Sequence, residues 1–254
     1  MGFTTPPACA TMAYRGIGPF GKKLKNLRAI ISLPHNDRML WAVPAKSKIH
    51  SVKDMEKEPL RLVIPDKNFP VRFAVEKILE AYGLSLNGLK NHGWQIIEES
   101  HCLKIPVLVM QGKADALVHE GMRTPAWLKL GRSGAMRFLP IDHSVLQKIS
   151  VEYGYRKAVV PKGMFPGIDE DIPCVDFSDW LLFVRDDMPD DLAYLITKIC
   201  IEKKREIFEF YFRGIPEGES NLVCPVDPKQ VWRNIGEIPL HPAAERYYKE
   251  HGYM

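Results

Sequence analysis

The chain has 254 residues, of which 46% are hydrophobic and 26% are charged, and its formal net charge is +4. This length suits one large or two modest globular domains with a real buried core. Basic residues are interleaved with acids along the chain, so we expect no nucleic-acid partner. No apolar run is long enough to cross a bilayer, and the N-terminal segment lacks the pattern of a signal peptide.

The predicted elements alternate between short strands and helices along the chain. Strands are expected at residues 27–33, 39–43, 62–64, 94–98, 115–119, 137–141, 156–160 and 180–184. Helices are expected at 8–14, 71–82, 105–110, 126–130, 187–199 and 242–251. Residues 162–173 are rich in Gly, Pro and acidic residues, which predicts a loop. The alternation indicates an α/β fold.

Residues 60–84 form the clearest predicted unit, a strand followed by a polar loop and a helix. Asn68 is predicted to cap the helix and Gly83 to end it. A loop that runs from a strand into a helix N-terminus offers free N–H groups to an anion, and Arg72 would add a positive charge. An ordinary connection without a ligand is the alternative.

Polar side chains also follow two other predicted strands. In open α/β sheets, ligands bind outside the carboxyl ends of the strands, so we expect these loops to converge on one cleft. An arginine there would pair with a carboxylate. The predicted ligand-binding residues are Thr4, Thr5, Tyr14, Asn68, Arg72, His119, Glu120, Arg123 and Trp180.

Motifs of catalysis and of metal or cofactor binding are missing from the sequence. There is no G-x-S-x-G, P-loop, G-x-G-x-x-G or HExxH pattern, and the five cysteines include no CxxC pair. We therefore predict that the chain is not an enzyme and uses no cofactor or metal. The cysteines are expected to be buried thiols or to form at most two bridges.

Five segments, taken together, carry a resemblance to a known family. They are GFTTPPACATMAYRG near the start, SKIHSVKDMEKEPLRLVIP, GKADALVHEGMRTPAW, MPDDLAYLITKICIE, and PLHPAAERYYKEHG near the end. Their order resembles the TAXI family, the solute-binding subunits of tripartite ATP-independent periplasmic (TRAP) transporters. The resemblance covers nearly the whole chain, and the last two segments are the most specific.

The resemblance implies a type II periplasmic-binding-protein fold, in which two α/β lobes are joined by crossing strands. Lobe one would comprise residues 1–43 and 183–254, with its first βαβ unit missing, and lobe two residues 44–182. A small anionic solute, typically a carboxylate, would bind between the lobes and be delivered to TRAP membrane subunits. The implied location is periplasmic or otherwise extracytoplasmic, without direct membrane insertion.

The sequence departs from the family pattern at the loop of residues 66–69. Relatives have a small-residue cradle for an anion there, whereas this chain has Asp66, Lys67 and Phe69. Two other functions stay open. One is an enzyme on the same fold that acts on a small carboxylic acid through His119 and Glu120, and the other is the effector-binding domain of a regulator.

Overall fold

The computed structural model describes residues 1–120, 124–211, 213–214 and 226–254. The chain divides into two compact units. Unit 1 comprises Met1–Asn36 and Ser178–Met254, and unit 2 is Asp37–Phe177. The sequence-based lobes assign residues 37–43 and 178–182 differently from these units. Each unit has its own β-sheet with helices, which confirms the predicted mixed α/β class.

Ten strands and nine α-helices are present in the described residues. The strands are β1 (Gly2–Thr4), β2 (Leu27–Leu33), β3 (Arg38–Pro44), β4 (Arg61–Pro65), β5 (Gln95–Glu99), β6 (Ala116–His119), β7 (Met136–Leu139), β8 (Arg156–Val160), β9 (Ile172–Asp176) and β10 (Trp180–Arg185). The helices are α1 (Ala8–Arg15), α2 (Pro70–Ala81), α3 (Leu86–Asn91), α4 (Ile105–Met110), α5 (Pro125–Arg132), α6 (His143–Tyr153), α7 (Asp190–Glu202), α8 (Lys204–Tyr211) and α9 (Pro242–Glu250).

Unit 1 is built on an antiparallel sheet with the strand order β1-β10-β2. The core includes Ile30 and Ile31 of β2, and Tyr247 and Tyr248 of α9. The Tyr248 hydroxyl donates to the Ile30 carbonyl at 3.0 Å, which ties the last helix to the sheet. The chain leaves unit 1 before β3 and returns to it before β10.

Helix α7 buries a different face from the one that its apolar spacing suggests. Leu192, Leu195 and Ile199 share one face as predicted, but they remain exposed. The buried residues are Ala193, Thr197 and Ile201. The Thr197 hydroxyl donates to the Ala193 carbonyl at 2.8 Å, so its polar group is satisfied within the helix.

Unit 2 is built on a larger mixed sheet with the order β5-β4-β6-β3-β9-β8, and β7 also pairs with β3. Strand β4 is parallel to both β5 and β6, while β3 is antiparallel to β6, β7 and β9. Trp127, Phe138 and Phe165 pack in the core of this unit. Strand β9 overlaps the predicted loop of residues 162–173, so that prediction is wrong at Ile172 and Pro173.

Helix α2 shows how the local sequence positions the loop after β4. Pro70 occupies the first turn and Val71 is buried, as expected for an amphipathic helix. The N-cap is Phe69, without a side-chain cap, so the prediction that Asn68 caps the helix is wrong. Gly83 has a φ of +76°, and the Leu84 N–H donates to the Leu79 carbonyl at 2.8 Å, which confirms the predicted helix end.

Candidate functional site

One edge of the unit 2 sheet collects the ends of several strands. Strands β4 and β6 are parallel and end at Pro65 and His119, and the antiparallel β3 begins at this edge because Leu40 pairs with His119. On the other side of β3, Arg38 pairs with Asp176 at the end of β9. The loops after the parallel strands and the residues just before β3 therefore share one end of the sheet.

Two acidic side chains meet at this edge. Asp37 is 1% exposed, and its carboxyl group is hydrogen-bonded to that of Glu120. Burial raises the pKa of Glu120 well above its ordinary value, and the charge of Asp37 raises it further. Two carboxylates can form a hydrogen bond with each other only if a proton lies between them. Glu120 is therefore held in its protonated form more readily than an exposed glutamate would be.

His119 lies directly beside this pair. Its side chain is buried, with a residue exposure of 3%, and neither ring nitrogen has a hydrogen-bond partner in the part of the chain that the structure describes. The Nε2 atom is 3.7 Å from Oε1 of Glu120, which is too long for a direct hydrogen bond. Burial lowers the pKa of His119 to about 4, so its imidazole is neutral at physiological pH.

The backbone around Glu120 is fixed by a buried aromatic residue. Trp127 of α5 lies in the core, and its indole Nε1 donates to the Glu120 carbonyl at 3.0 Å. Cys102, which precedes α4, is close enough for the Glu120 charge to add to the burial that raises the pKa of the thiol. The Glu120 backbone is therefore anchored to the core of unit 2 through Trp127.

Basic side chains at the same edge pair with the end of β9. Arg38 contacts Asp176 at 3.0 Å between Nη1 and Oδ1, and Arg156 contacts it at 2.6 Å between Nη2 and Oδ2. The Arg38 side chain is 19% exposed, whereas that of Arg156 is 46% exposed. Of the two arginines, Arg156 is therefore the one that a dissolved ion can approach more easily.

Asn68 lies in the loop after β4 and Arg72 in the first turn of α2, and both are predicted site residues. Arg72 is largely buried and contacts Glu76 at 2.7 Å and Glu98 at 3.0 Å. It lines an open depression of about 270 Å³ together with Glu76 and Glu80. The Asn68 N–H donates to the Asp66 side chain, which closes a local turn. The guanidinium of Arg72 is thus already paired with two carboxylates.

The other predicted site residues lie mostly in unit 1. Thr4 ends β1, and Thr5 follows it. Lys25 Nζ lies 3.6 Å from the ring centroid of Tyr14, and Trp180 stacks on His35 with ring centroids 4.8 Å apart. Arg123 lies outside the described residues. Among the nine predicted residues, the structure brings His119 and Glu120 together with a buried acid.

Sequence reasoning missed Asp37, Arg38, Arg156 and Asp176. The Asp37-Arg38 pair immediately precedes a predicted strand, and that polar start was a signal that could have been used. Asp176 ends β9, a strand that the sequence patterns do not predict. The four cysteines at 9, 102, 174 and 200 are free thiols, and no group of metal-binding side chains occurs in the described residues.

Comparison with known proteins decides the family of the chain. The model of the NMT1-like family matches residues 7–252. The chain belongs to the NMT1-like family. The match spans both units, and the TAXI subfamily stays a prediction within it. None of the helices that the structure describes is long and apolar enough to cross a membrane.

Several solved structures are remotely similar to this chain. An ancestral arginine-binding protein bound to arginine is 12% identical, with a TM-score of 0.38, and the match covers 73% of this chain and 63% of that protein. A periplasmic transporter is 12% identical, with a TM-score of 0.43 and coverages of 98% and 71%. A cysteine-binding protein from Campylobacter jejuni is 13% identical, with a TM-score of 0.38 and coverages of 80% and 62%. The chain thus spans less than two thirds of the arginine-binding and cysteine-binding proteins.

Proposed function

We propose that this chain is a receptor that binds a small solute and delivers it to a TRAP-type membrane transporter outside the cytoplasm. The observation that carries the proposal is the buried polar set of Asp37, His119 and Glu120 at the edge of the sheet where the parallel strands β4 and β6 end. Ligands bind at such edges in open α/β sheets. A buried imidazole without a partner costs free energy, and a ligand that pairs with it recovers that cost. The TRAP partner and the location rest on the TAXI resemblance.

The solute is proposed to carry a carboxylate group. Arg156 supports this part, because its guanidinium lies at the same edge and its side chain is 46% exposed. A guanidinium binds a carboxylate through two parallel hydrogen bonds. The pairing with Asp176 holds the guanidinium in place, while the exposed part of the side chain remains accessible to a solute.

Calorimetric titration with a solute panel tests the receptor function. The panel contains dicarboxylates, monocarboxylates and amino acids, each titrated into the purified chain. We expect saturable one-site binding of at least one compound, and mass spectrometry after long incubation should recover that compound unchanged. Absence of saturable binding across the panel would overturn the proposal.

Replacing Arg156 by Met tests the carboxylate contact. We expect the variant to bind the carboxylate-bearing solute roughly tenfold more weakly, since about 1.4 kcal/mol corresponds to a tenfold change. The control is Arg61→Met, which removes an arginine that pairs with Asp115 at the opposite end of the same sheet. Equal affinities for the two variants would exclude Arg156 as the contact.

An enzyme on the same fold is the second candidate. It is favoured by one observation, the opposite pKa shifts of two adjacent side chains, lowered for His119 and raised for Glu120. Such pairs supply a base and an acid at neutral pH. Turnover of a panel compound that is lost in Glu120→Gln would favour the enzyme over the receptor.

A further inference from the structure

Helix α7 carries a stripe of apolar side chains that the described part of unit 1 does not cover. Leu192, Leu195 and Ile199 are between 43% and 49% exposed. The buried face of the helix contains Ala193 and packs into the core of unit 1. We call the three exposed side chains the α7 seam. Single exposed leucines are ordinary on a protein surface, but three in line on one helix form a continuous apolar stripe.

The spacing of the α7 seam is that of a two-stranded coiled coil. Its residues follow one another at intervals of three and four positions, which is the a/d pattern of a heptad repeat. Such a stripe buries itself well against a second stripe of the same kind, because each side chain fits between those of the facing helix. Glu202 occupies the next position of the pattern and is exposed, so the apolar part covers about two turns.

The charged residues beside the α7 seam suit an antiparallel partner. Asp191 and Lys198 are exposed and lie on the same flank of the seam. Within the described residues, Lys198 makes no hydrogen bond or ion pair, and the Asp191 side chain accepts only the Leu192 N–H. In an antiparallel pair centred on Leu195, Asp191 of each helix is level with Lys198 of the other. In a parallel pair, Lys198 would instead face Lys203 of the other helix, and the like charges would repel.

We propose that the α7 seam is the contact between two copies of this chain, packed antiparallel about a two-fold axis at Leu195. Leu195 then meets its own counterpart, and Leu192 of each copy meets Ile199 of the other. The antiparallel arrangement also sets the positive N-terminal end of each helix dipole beside the negative end of the other. The contact uses residues of unit 1 and none of the candidate site on unit 2, so it is separate from the solute binding proposed above.

The contact is expected to give a weak dimer. Stable protein interfaces bury about 1,200–2,000 Å² in total, and three half-exposed side chains on each copy offer less than that. We therefore expect a dissociation constant on the order of 100 μM. The chain should then pass from monomer to dimer as its concentration rises.

Sedimentation equilibrium tests the dimer over a range of about 10 μM to 1 mM, which brackets the expected constant. The average mass should rise with concentration from that of the 29.0 kDa chain towards twice that value. Leu195→Glu places a charge at the centre of the seam and should weaken association by roughly tenfold or more. The matched control is Leu103→Glu, the same change at a leucine of unit 2 that is 52% exposed, and it should associate like the unaltered chain.

Two charge-reversed variants test the antiparallel register. Asp191→Lys and Lys198→Asp each turn both flanking ion pairs into like-charge pairs, so each variant alone should associate roughly fivefold more weakly. A mixed dimer of the two variants regains two pairs of opposite charge. The equimolar mixture should therefore associate within about twofold of the unaltered chain. Mixing cannot repair a folding defect in either variant, so recovery is specific to the proposed contact.

The possible results separate a dimer contact from other uses of the α7 seam. A chain that stays monomeric at the highest concentration overturns the proposal, as does a dimer that Leu195→Glu leaves intact or that Leu103→Glu weakens equally. A mixture that does not recover overturns the antiparallel contact. A monomer that instead cosediments with phosphatidylcholine–phosphatidylglycerol vesicles, and loses this property in Leu195→Glu, would assign the seam to a lipid surface and overturn the dimer. None of these results bears on the receptor function, which the solute titration tests.

Discussion

The loops after β4 and β6 leave the same sheet at the same edge, but the charged residues beside them have different partners. After β4, Arg72 pairs with Glu76 and Glu98. After β6, Glu120 meets another acid, Asp37, and His119 has no hydrogen-bond partner in the described residues. Within the described residues, Arg72 thus has carboxylate partners, whereas Glu120 lies against a second acid beside a ring that has no hydrogen-bond partner.

This difference indicates which of the two regions is the better candidate for a ligand-binding site. A cation at a helix start suggests an anion site, but here nearby carboxylates neutralise Arg72. A buried polar group without a hydrogen-bond partner costs free energy, and a ligand that pairs with it recovers that cost. The buried His119 ring beside two acids is therefore a stronger indication of a ligand than Arg72.

The largest expected effect is that of His119→Leu on stability. Replacing an unpaired buried polar group by an apolar one should raise the free energy of unfolding by about 1–3 kcal/mol at pH 7.5. The pKa of His119 is lowered from 6.5 to about 4, so below pH 6.5 the unfolded state binds a proton that the folded state does not, and the unaltered chain loses stability as the pH falls from 6.5 towards 4. The gain in the variant should therefore grow at acidic pH.

Urea unfolding at pH 5 and pH 7.5 measures this effect. The control is His101→Leu, which changes an exposed histidine and should leave the free energy of unfolding nearly unchanged. A loss of stability in His119→Leu would indicate that the ring makes favourable contacts within the fold, and the contrast between the two loops would then be weaker.

The second largest effect is expected on the pH dependence of the free energy of unfolding, in the variant Glu120→Gln. The raised pKa of Glu120 means that the folded state holds a proton that the unfolded state releases above pH 4.5. Stability should therefore fall as the pH rises from 4.5 through the raised pKa, by about 1.4 kcal/mol per pH unit for one proton. Glu120→Gln should abolish this slope, as measured by urea unfolding between pH 5 and pH 9.

Asp115, which directly precedes β6, has a lowered pKa where that of Glu120 is raised, so Asp115→Asn should have a different pH dependence. Its partner Arg61 lowers the pKa of Asp115, so the contribution of this acid is present above pH 3.8 and is lost only at lower pH. The variant should therefore be less stable by a constant amount across neutral pH. A slope in Asp115→Asn that differs from that of the unaltered chain between pH 5 and pH 9 would contradict this assignment.

The smallest effect is expected for Arg72→Met in the first turn of α2. Its partners Glu76 and Glu98 are more than 40% exposed, and solvent screens such pairs. Losing them should cost about 0.2–1 kcal/mol of unfolding free energy, measured by urea unfolding. Solute affinity should fall less than in Arg156→Met. A larger loss of affinity in Arg72→Met would restore the loop after β4 as the anion contact.

Much of the fold could be predicted from local patterns. Strands β2 and β8 have the predicted bounds, because each is a compact run of strand-forming residues. The end of helix α2 followed from Gly83, which adopts the left-handed conformation that glycine favours. His119 and Glu120 could be found because polar residues directly follow a buried strand. These signals all lie within a few residues of the feature that they predict.

The features that local patterns did not predict depend on contacts between residues that are far apart in the sequence. Glu120 meets Asp37, which lies far away in the sequence, and no local pattern indicates that these two acids will meet. Strand β9 was missed because its first residues, Ile172 and Pro173, follow a loop rich in Gly and Pro, and its pairing with β3 decides its conformation. The buried face of α7 was also missed, because only packing shows which face of this helix unit 1 covers.

The division of the chain into an inner segment and two outer ones has a consequence for the order of folding during synthesis. In unit 1, β10 lies between β1 and β2, so those two strands cannot complete their sheet before Trp180–Arg185 has been made. By contrast, unit 2 is one continuous segment whose ends meet, with the Phe177 N–H donating to the Asp37 carbonyl at 3.2 Å. Domains generally fold as units as the ribosome releases them. Unit 2 can therefore fold first, whereas β1 and β2 can pair with β10 only after β10 has been made.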